Sequence, residues 1–283
     1  MKPYRHILAA LDGSEPAQHA LEQALRFPDC RITVVTVVPT LTGDLRAAAP
    51  EAESIFQAQY EQALVQFREW MQARGLPLTT QLLKGEPHEA ICAAAREQNC
   101  DLVVIGKRGH YLPPGAQMGR VTERVIGFCP TDVLVVPARG SLSLDRIILP
   151  VDGSRFSREA TKRALSLAAA GTTLMVVSVL DAPPGFVTEV PDIARDLLNS
   201  LEELVAAVAR QAASQGTPCE TRVAVGPAYR TIVELAGEWS AGLIVMGSHG
   251  RTGHKRLLMG SVTERVVGQA PCPVLVVKAD QRS

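Results

Sequence analysis

The chain has 283 residues, 46% hydrophobic and only 4% aromatic, with 29 basic residues against 29 acidic ones for a formal net charge of +0. That length suits one large domain or two ordinary ones, and the balanced charge excludes the basic footprint of a nucleic-acid binder. No apolar run reaches the roughly 18 residues of a membrane span, and six scattered cysteines without a CxxC pair indicate neither a zinc site nor a disulfide framework.

The first segment, "HILAALDGSE", is a short apolar strand that breaks at Asp12; it does not read as a signal peptide, so the cytoplasm is the expected compartment. A helix follows it. A long helix is expected near 51–74, where the charges form a solvated face beside an apolar stripe. "CDLVVIGKRG" carries a strand into a glycine loop, and "RVTERVIGFCPTDVLVVP" ends the half. Cys92, Cys100 and Cys129 lie in these apolar or helical contexts and read as plain thiols.

Then the whole order repeats. "RIILPVDGSRFSREATKRAL" answers the first strand and helix, "AGLIVMGSHG" answers "CDLVVIGKRG", and "SVTERVVGQAPCPVLVVK" answers the ending. Asp12 to Asp152 is 140 residues and Glu123 to Glu264 is 141, so the chain is a tandem duplication rather than an array of short repeats. The second half predicts strands near 145–151, 173–180, 220–226, 242–246 and 273–278. Its helices are expected near 155–169, 189–214, 228–239 and 260–269. The join, "ARGSLSLD", is short and polar, with Gly140 as its flexible point. The boundaries are thus 1–138, a linker over 139–145, and 146–283.

Continuous apolar strands alternating with helices give an α/β class: two tandem domains, each a five-stranded parallel sheet with helices on both faces. In such sheets ligands bind beyond the carboxyl ends of the strands. "GSHGRTGHKRLLMGS", Gly247 to Ser261, lies there. Gly247 is expected to turn the chain with a positive φ. Gly260 and Ser261 open a helix whose first N–H groups and dipole favour an anion. Ser261 either caps that helix or offers its hydroxyl, and Arg251, His254, Lys255 and Arg256 add positive charge. Neither GxxxxGK[ST] nor GxGxxG after a first strand is present.

Gly247, Gly250, Gly260 and Ser261 follow the spacing Gly, two residues, Gly, nine residues, Gly, Ser. With "DGS" after both first strands and both "VTERV" endings, the chain resembles the universal stress proteins in their tandem two-domain form. The resemblance implies Rossmann-like domains of the adenine nucleotide alpha hydrolase-like kind, with ATP bound by members that keep the glycine signature. It further implies that Asp152 accepts from ribose hydroxyls, that the backbone of Val179 holds the adenine edge, and that Gly247 and Gly250 line the ribose and first phosphates. Gly260, Ser261 and Val262 would meet the outer phosphates, with Mg2+ accompanying the nucleotide. "DGS" also has a plainer reading, as a cap for the next helix. Single-domain members pair through their last strands. That implies edge-to-edge meeting of "DVLVVP" and "PVLVVK" in an internal pseudo-two-fold, and leaves a homodimer of the whole chain open.

The first half departs from the pattern. Gly106, Gly109 and Gly119 keep the spacing, but Arg120 replaces the Ser, and Pro113 and Pro114 stiffen the loop. Three readings stay open for the weak site of Asp12, Val37, Gly106, Gly109, Gly119 and Arg120: empty, occupied by a smaller nucleotide such as AMP, or occupied by ATP with Arg120 as a phosphate clamp. His110, His249 and His254 are the loop histidines a hydrolase would draw on, and each reads first as a surface residue. The expectation is an ATP-binding stress-response regulator with slow or absent turnover. The alternative is an interaction module that binds protein partners and no nucleotide.

Overall fold

The structure, a computed structural model, describes residues 4–27, 29–41, 43–48, 50–76, 78–109, 116–250 and 259–279. Arg251, His254, Lys255, Arg256, His110, Pro113 and Pro114 lie outside the described residues. The chain divides into two compact units, one over Tyr4–Ala138 and one from Arg139 onward.

The first unit runs β1 (His6–Leu11), α1 (Glu15–Ala24), β2 (Arg31–Pro39), α2 (Gly43–Ala48), α3 (Ala52–Gln72), β3 (Thr79–Gly85), α4 (Pro87–Glu97), β4 (Leu102–Gly106), α5 (Arg120–Phe128) and β5 (Asp132–Val136). The second runs β6 (Arg146–Pro150), α6 (Arg155–Leu167), β7 (Thr173–Leu180), α7 (Phe186–Glu189), α8 (Pro191–Ser214), β8 (Cys219–Val225), α9 (Ala228–Glu238), β9 (Leu243–Gly247), α10 (Ser261–Gln269) and β10 (Val274–Val277).

The strand orders are β3-β2-β1-β4-β5 and β8-β7-β6-β9-β10, and every pairing within each unit is parallel. The chain leaves β1 in one direction to β2 and β3, then returns to build β4 and β5 on the other side. That reversal opens a crevice between the carboxyl ends of β1 and β4, and of β6 and β9. The apolar runs "LVVIG" and "LIVMG" are buried along their whole length, as strands covered on both faces must be. Only β3 and β8, at the margins, are half open.

The "DGS" turns have one physical cause in both units. Gly13 and Gly153 take φ of 84° and 80°, a left-handed conformation that side chains disfavour. This lets Asp12 Oδ1 accept from the Ser14 N–H at 3.0 Å and Asp152 Oδ1 accept from the Ser154 N–H at 3.0 Å. The serines, not the aspartates, cap the helices: Ser14 Oγ accepts from the Ala17 N–H and Ser154 Oγ from the Ser157 N–H.

Two expectations are refined. The helix read over 189–214 begins at Pro191, and the short α7 precedes it. Pro191 sits in the first turn of α8, where its missing N–H costs nothing, and Val190 before it takes φ −134°, ψ 63°. The linker is less loose than its composition suggests. Gly140 does take φ 112°, but Leu142 is buried and the Ser143 N–H donates to Gly242 O at 3.3 Å. Among the described residues no helix is long and apolar enough to cross a membrane.

None of the six cysteines forms a disulfide, and Cys92, Cys100 and Cys129 are buried. Burial pushes the Cys272 thiol up to about 12, and burial, helped by Asp101, pushes Cys100 up to about 11. A raised thiol value means a neutral, unreactive group. At pH 8 a chromogenic disulfide reagent is therefore expected to spare both in native protein and to modify both in urea. Equal rates in the two conditions would contradict their burial.

Candidate functional site

The site grows from three strand ends and the start of a helix. β6 stops at Pro150, opposite Val177, whereas β7 continues to Leu180. Val177 O accepts from the Val151 N–H at 2.8 Å. In a strand the backbone groups of residues i and i+2 point the same way. Val179 therefore presents its N–H and C=O past the end of β6, into the crevice. Asp152 stands beside it at the tip of β6.

The glycines do different jobs. Gly247 does not take a left-handed φ, contrary to the sequence reading. It is glycine because a Cβ there would lie 2.7 Å from Phe156 Cβ and 2.8 Å from the Phe156 carbonyl carbon, so close packing against α6 excludes a side chain. A Cβ on Gly250 would come 2.8 Å from Asp152 Oδ2, so the loop backbone lies directly against the carboxylate. Gly260 has an ordinary φ of −70° and ψ of 145°, and its N–H donates to Ser248 O at 2.9 Å, which closes the loop on itself.

Gly260 is the N-cap of α10 and Ser261 is its first residue, so Ser261 does not cap the helix. No side-chain hydrogen bond caps this end, in contrast to the serine caps of α1 and α6. The first N–H groups of α10, on Ser261, Val262 and Thr263, thus start a helix with its positive end toward the crevice. Asp152, Val179, Gly247, Gly250, Gly260, Ser261 and Val262 all line one cavity of about 460 Å³. Leu201, Leu204 and Ile232 supply apolar wall to it.

Some of this lay beyond the sequence reading. Thr263 is buried and its hydroxyl donates to Gly247 O at 2.9 Å, which pins the start of α10 to the end of β9. Thr122 does the same to Gly106 O at 2.9 Å. The signal was the identical "VTERV" in both halves. His249 lines the cavity too, half-buried rather than on the open surface. Its ring lies 5.1 Å from that of Phe156, and its Nδ1 is 3.2 Å from Ser248 Oγ. Removing the threonine hydroxyl by Thr263→Val leaves a buried carbonyl short of a donor and is expected to cost about 1–3 kcal/mol. A urea midpoint equal to wild type would show the clasp to be dispensable.

The first unit builds a related frame with other side chains. A Cβ on Gly109 would collide with Asp12 Oδ2, and the Gly119 N–H donates to Lys107 O at 3.0 Å. Gly106 is hemmed by Pro16 O at 3.1 Å. Arg120 is the exposed first residue of α5. Lys107 and Arg108 replace Ser248 and His249, and burial, with the charge of Arg108, pulls the Lys107 ammonium below its ordinary value. Val37 is buried, only 7% exposed.

A strand-end crevice lined by glycines and the start of a helix defines a class, the doubly wound α/β domains that take small ligands at their switch point. The chain belongs to the universal stress protein family, whose model matches residues 3–137 and again 143–278. It is 27% identical over 294 residues to a universal stress protein of Mycolicibacterium smegmatis, covering 96% of each chain. It is 37% identical over 143 residues to one of Methanocaldococcus jannaschii, covering 48% of this chain and 84% of that one. The crystal structure of a universal stress protein from Archaeoglobus fulgidus shares the fold with a TM-score of 0.70 at 23% identity, covering 97% of this chain and 98% of that one.

Proposed function

We propose that the second half binds an adenine nucleotide, ATP or AMP, and that the protein is a stress-response regulator that reads nucleotide rather than an enzyme that turns it over. Nucleotide binding is typical of the family, and the members that bind ATP keep the glycine signature found here. The observation that carries the reading is the convergence of seven residues from four separate segments on one cavity of about 460 Å³.

The residues fit such a ligand. The volume falls within the roughly 300–1,000 Å³ of small-molecule sites. Leu201, Leu204 and Ile232 offer a dry wall for a flat base, and the backbone of Val179 offers a donor and an acceptor for its edge. The Asp152 carboxylate accepts from sugar hydroxyls. The N–H groups of Ser261 and Val262, with the Ser261 hydroxyl, take phosphate oxygens. The described residues contain no cluster of three or more His, Cys, Asp or Glu able to hold a metal. Mg2+ would therefore be held chiefly by the phosphates, with the Ser261 hydroxyl. A phosphoryl-transfer enzyme needs a residue that orients water. We read His249, its ring tilted against that of Phe156, as a wall of the cavity instead.

Calorimetric titration of nucleotide-stripped protein with ATP and Mg2+ tests this. One site per chain, lost on Ser261→Arg with Gly260→Val, is the expected result. A folded protein that takes up no nucleotide would overturn it and favour the interaction module, for which Ile55, Phe56 and Val65 are exposed on α3.

A further inference from the structure

In the second unit α8 lines the crevice through Leu201 and Leu204, and α3 is its counterpart in the first. The ends of α3 and α8 fix their correspondence. Arg74 and Leu76 donate their N–H groups to Met71 O, and Gln215 and Thr217 donate theirs to Ala212 O. Met71 is thus the counterpart of Ala212. Counting back along the helices sets Leu64 opposite Val205, and both are buried, which supports the register. The same count sets Tyr60 opposite Leu201, and Leu201 lines the cavity of the second half.

A tyrosine in that place carries a ring where its counterpart carries a four-carbon chain. Tyr60 is half-buried, and both its burial and the nearby negative charge of Asp12 raise its phenol above the ordinary value, burial more strongly. Asp12 is the residue that matches the ribose-facing Asp152. The floor agrees. Val37 and Val38, at the end of β2, are only 7% and 3% exposed, whereas Val179 and Leu180, at the end of β7, are half open. The helix α3 packs on β2.

We propose that Tyr60 fills, in the first half, the space that the second half leaves for a nucleoside, and that this side chain, rather than Arg120, keeps nucleotide out of the first half. The proposal rests on the nucleotide reading of the second half. Arg120 is exposed at the start of α5 and leaves the Gly119 backbone in the same closed-loop hydrogen bond as Gly260. The phosphate end of the first crevice is therefore still framed, and its nucleoside end is plugged from within.

Photolabelling of the full chain with 8-azido-ATP and Mg2+, followed by peptide mapping, assigns label to each half separately. The expected pattern is label in the second half alone for wild type, and in both halves for Tyr60→Leu. Tyr60→Ala serves as a second opening variant, and Tyr60→Phe, which keeps the ring, stays closed. Circular dichroism establishes that each variant is folded. Label confined to the second half in both opening variants would overturn the plug and leave the second-half reading standing. Label in both halves of wild type, or in the first half of Tyr60→Phe, would also overturn it. Label in the first half of Tyr60→Leu alone, with none in the second half of either protein, would support the plug and overturn the second-half reading. No label anywhere would overturn both.

Discussion

Gly247→Ala is expected to cost about 1–3 kcal/mol of stability in the second half, while Gly260→Ala in the same signature costs nearly nothing and removes nucleotide affinity instead. The difference follows from what each missing Cβ would touch. At Gly247 the new atom would sit 2.7–2.9 Å from Phe156 Cβ, carbonyl carbon and oxygen. Two of those are backbone atoms near the start of α6, which Ser154 holds by its cap, so the helix must shift as a body. At Gly260 the backbone already lies where any residue is comfortable, and the nearest atom is His249 Cα at 3.3 Å. Small local movement relieves that contact, and the lower entropy of the unfolded alanine chain offsets it by about 0.4–1 kcal/mol. Yet the same methyl lies where a phosphate would approach the first N–H groups of α10. Urea unfolding followed by ATP calorimetry separates the two effects. If Gly260→Ala binds as wild type, the helix start does not touch the ligand. If Gly247→Ala is as stable as wild type, the packing account of that glycine fails.

This contrast also shows why a sequence reveals some parts of such a site and hides others. The fold was legible because its signals are local and doubled. Buried parallel strands leave unbroken apolar runs such as "LIVM", and each appeared twice at nearly constant offset. The members of the site were legible through the glycine spacing, but their reasons were not. Spacing cannot tell a glycine needed for φ from one needed for packing. In the sequence Gly247 reads as a turn, yet it is a packing contact, whereas the left-handed glycines are Gly13 and Gly153, one residue after each aspartate. Thr263 and Thr122 were missed because a hydroxyl bonded 16 residues back along the chain has no local signature. Tyr60 was hidden for a related reason. Its helix reads as a solvated face with an apolar stripe, and of its 21 residues only Leu64 and Met71 are buried. The counterpart of Tyr60 emerges only when hydrogen bonds at the helix ends fix the register.

Asp152→Ala is expected to weaken ATP binding by about one to two orders of magnitude, the range for hydrogen bonds to a charged group worth about 1.5–3 kcal/mol. The carboxylate has two duties, and the experiment must divide them. Oδ1 accepts from the Ser154 N–H and holds the left-handed turn at Gly153, so some loss will come from a loosened turn. Oδ2 faces the backbone of Gly250, at the mouth where a ribose would lie. A thermodynamic cycle with the ligand as the second partner isolates the latter. ATP and 2′,3′-dideoxy-ATP are titrated against wild type and Asp152→Ala. Damage to the turn lowers both affinities alike and cancels, whereas a direct bond to the sugar appears as a coupling between side chain and hydroxyl. Wild type should discriminate between the two ligands by roughly tenfold or more, and the variant should not. Equal discrimination in both proteins would return Asp152 to the role of a turn former and move the sugar elsewhere in the cavity. Asp152→Asn sharpens the result, because its carboxamide oxygen can still accept from the Ser154 N–H while the charge is gone. A variant that keeps wild-type stability but loses the discrimination would show that the negative charge, rather than the turn, selects the ribose.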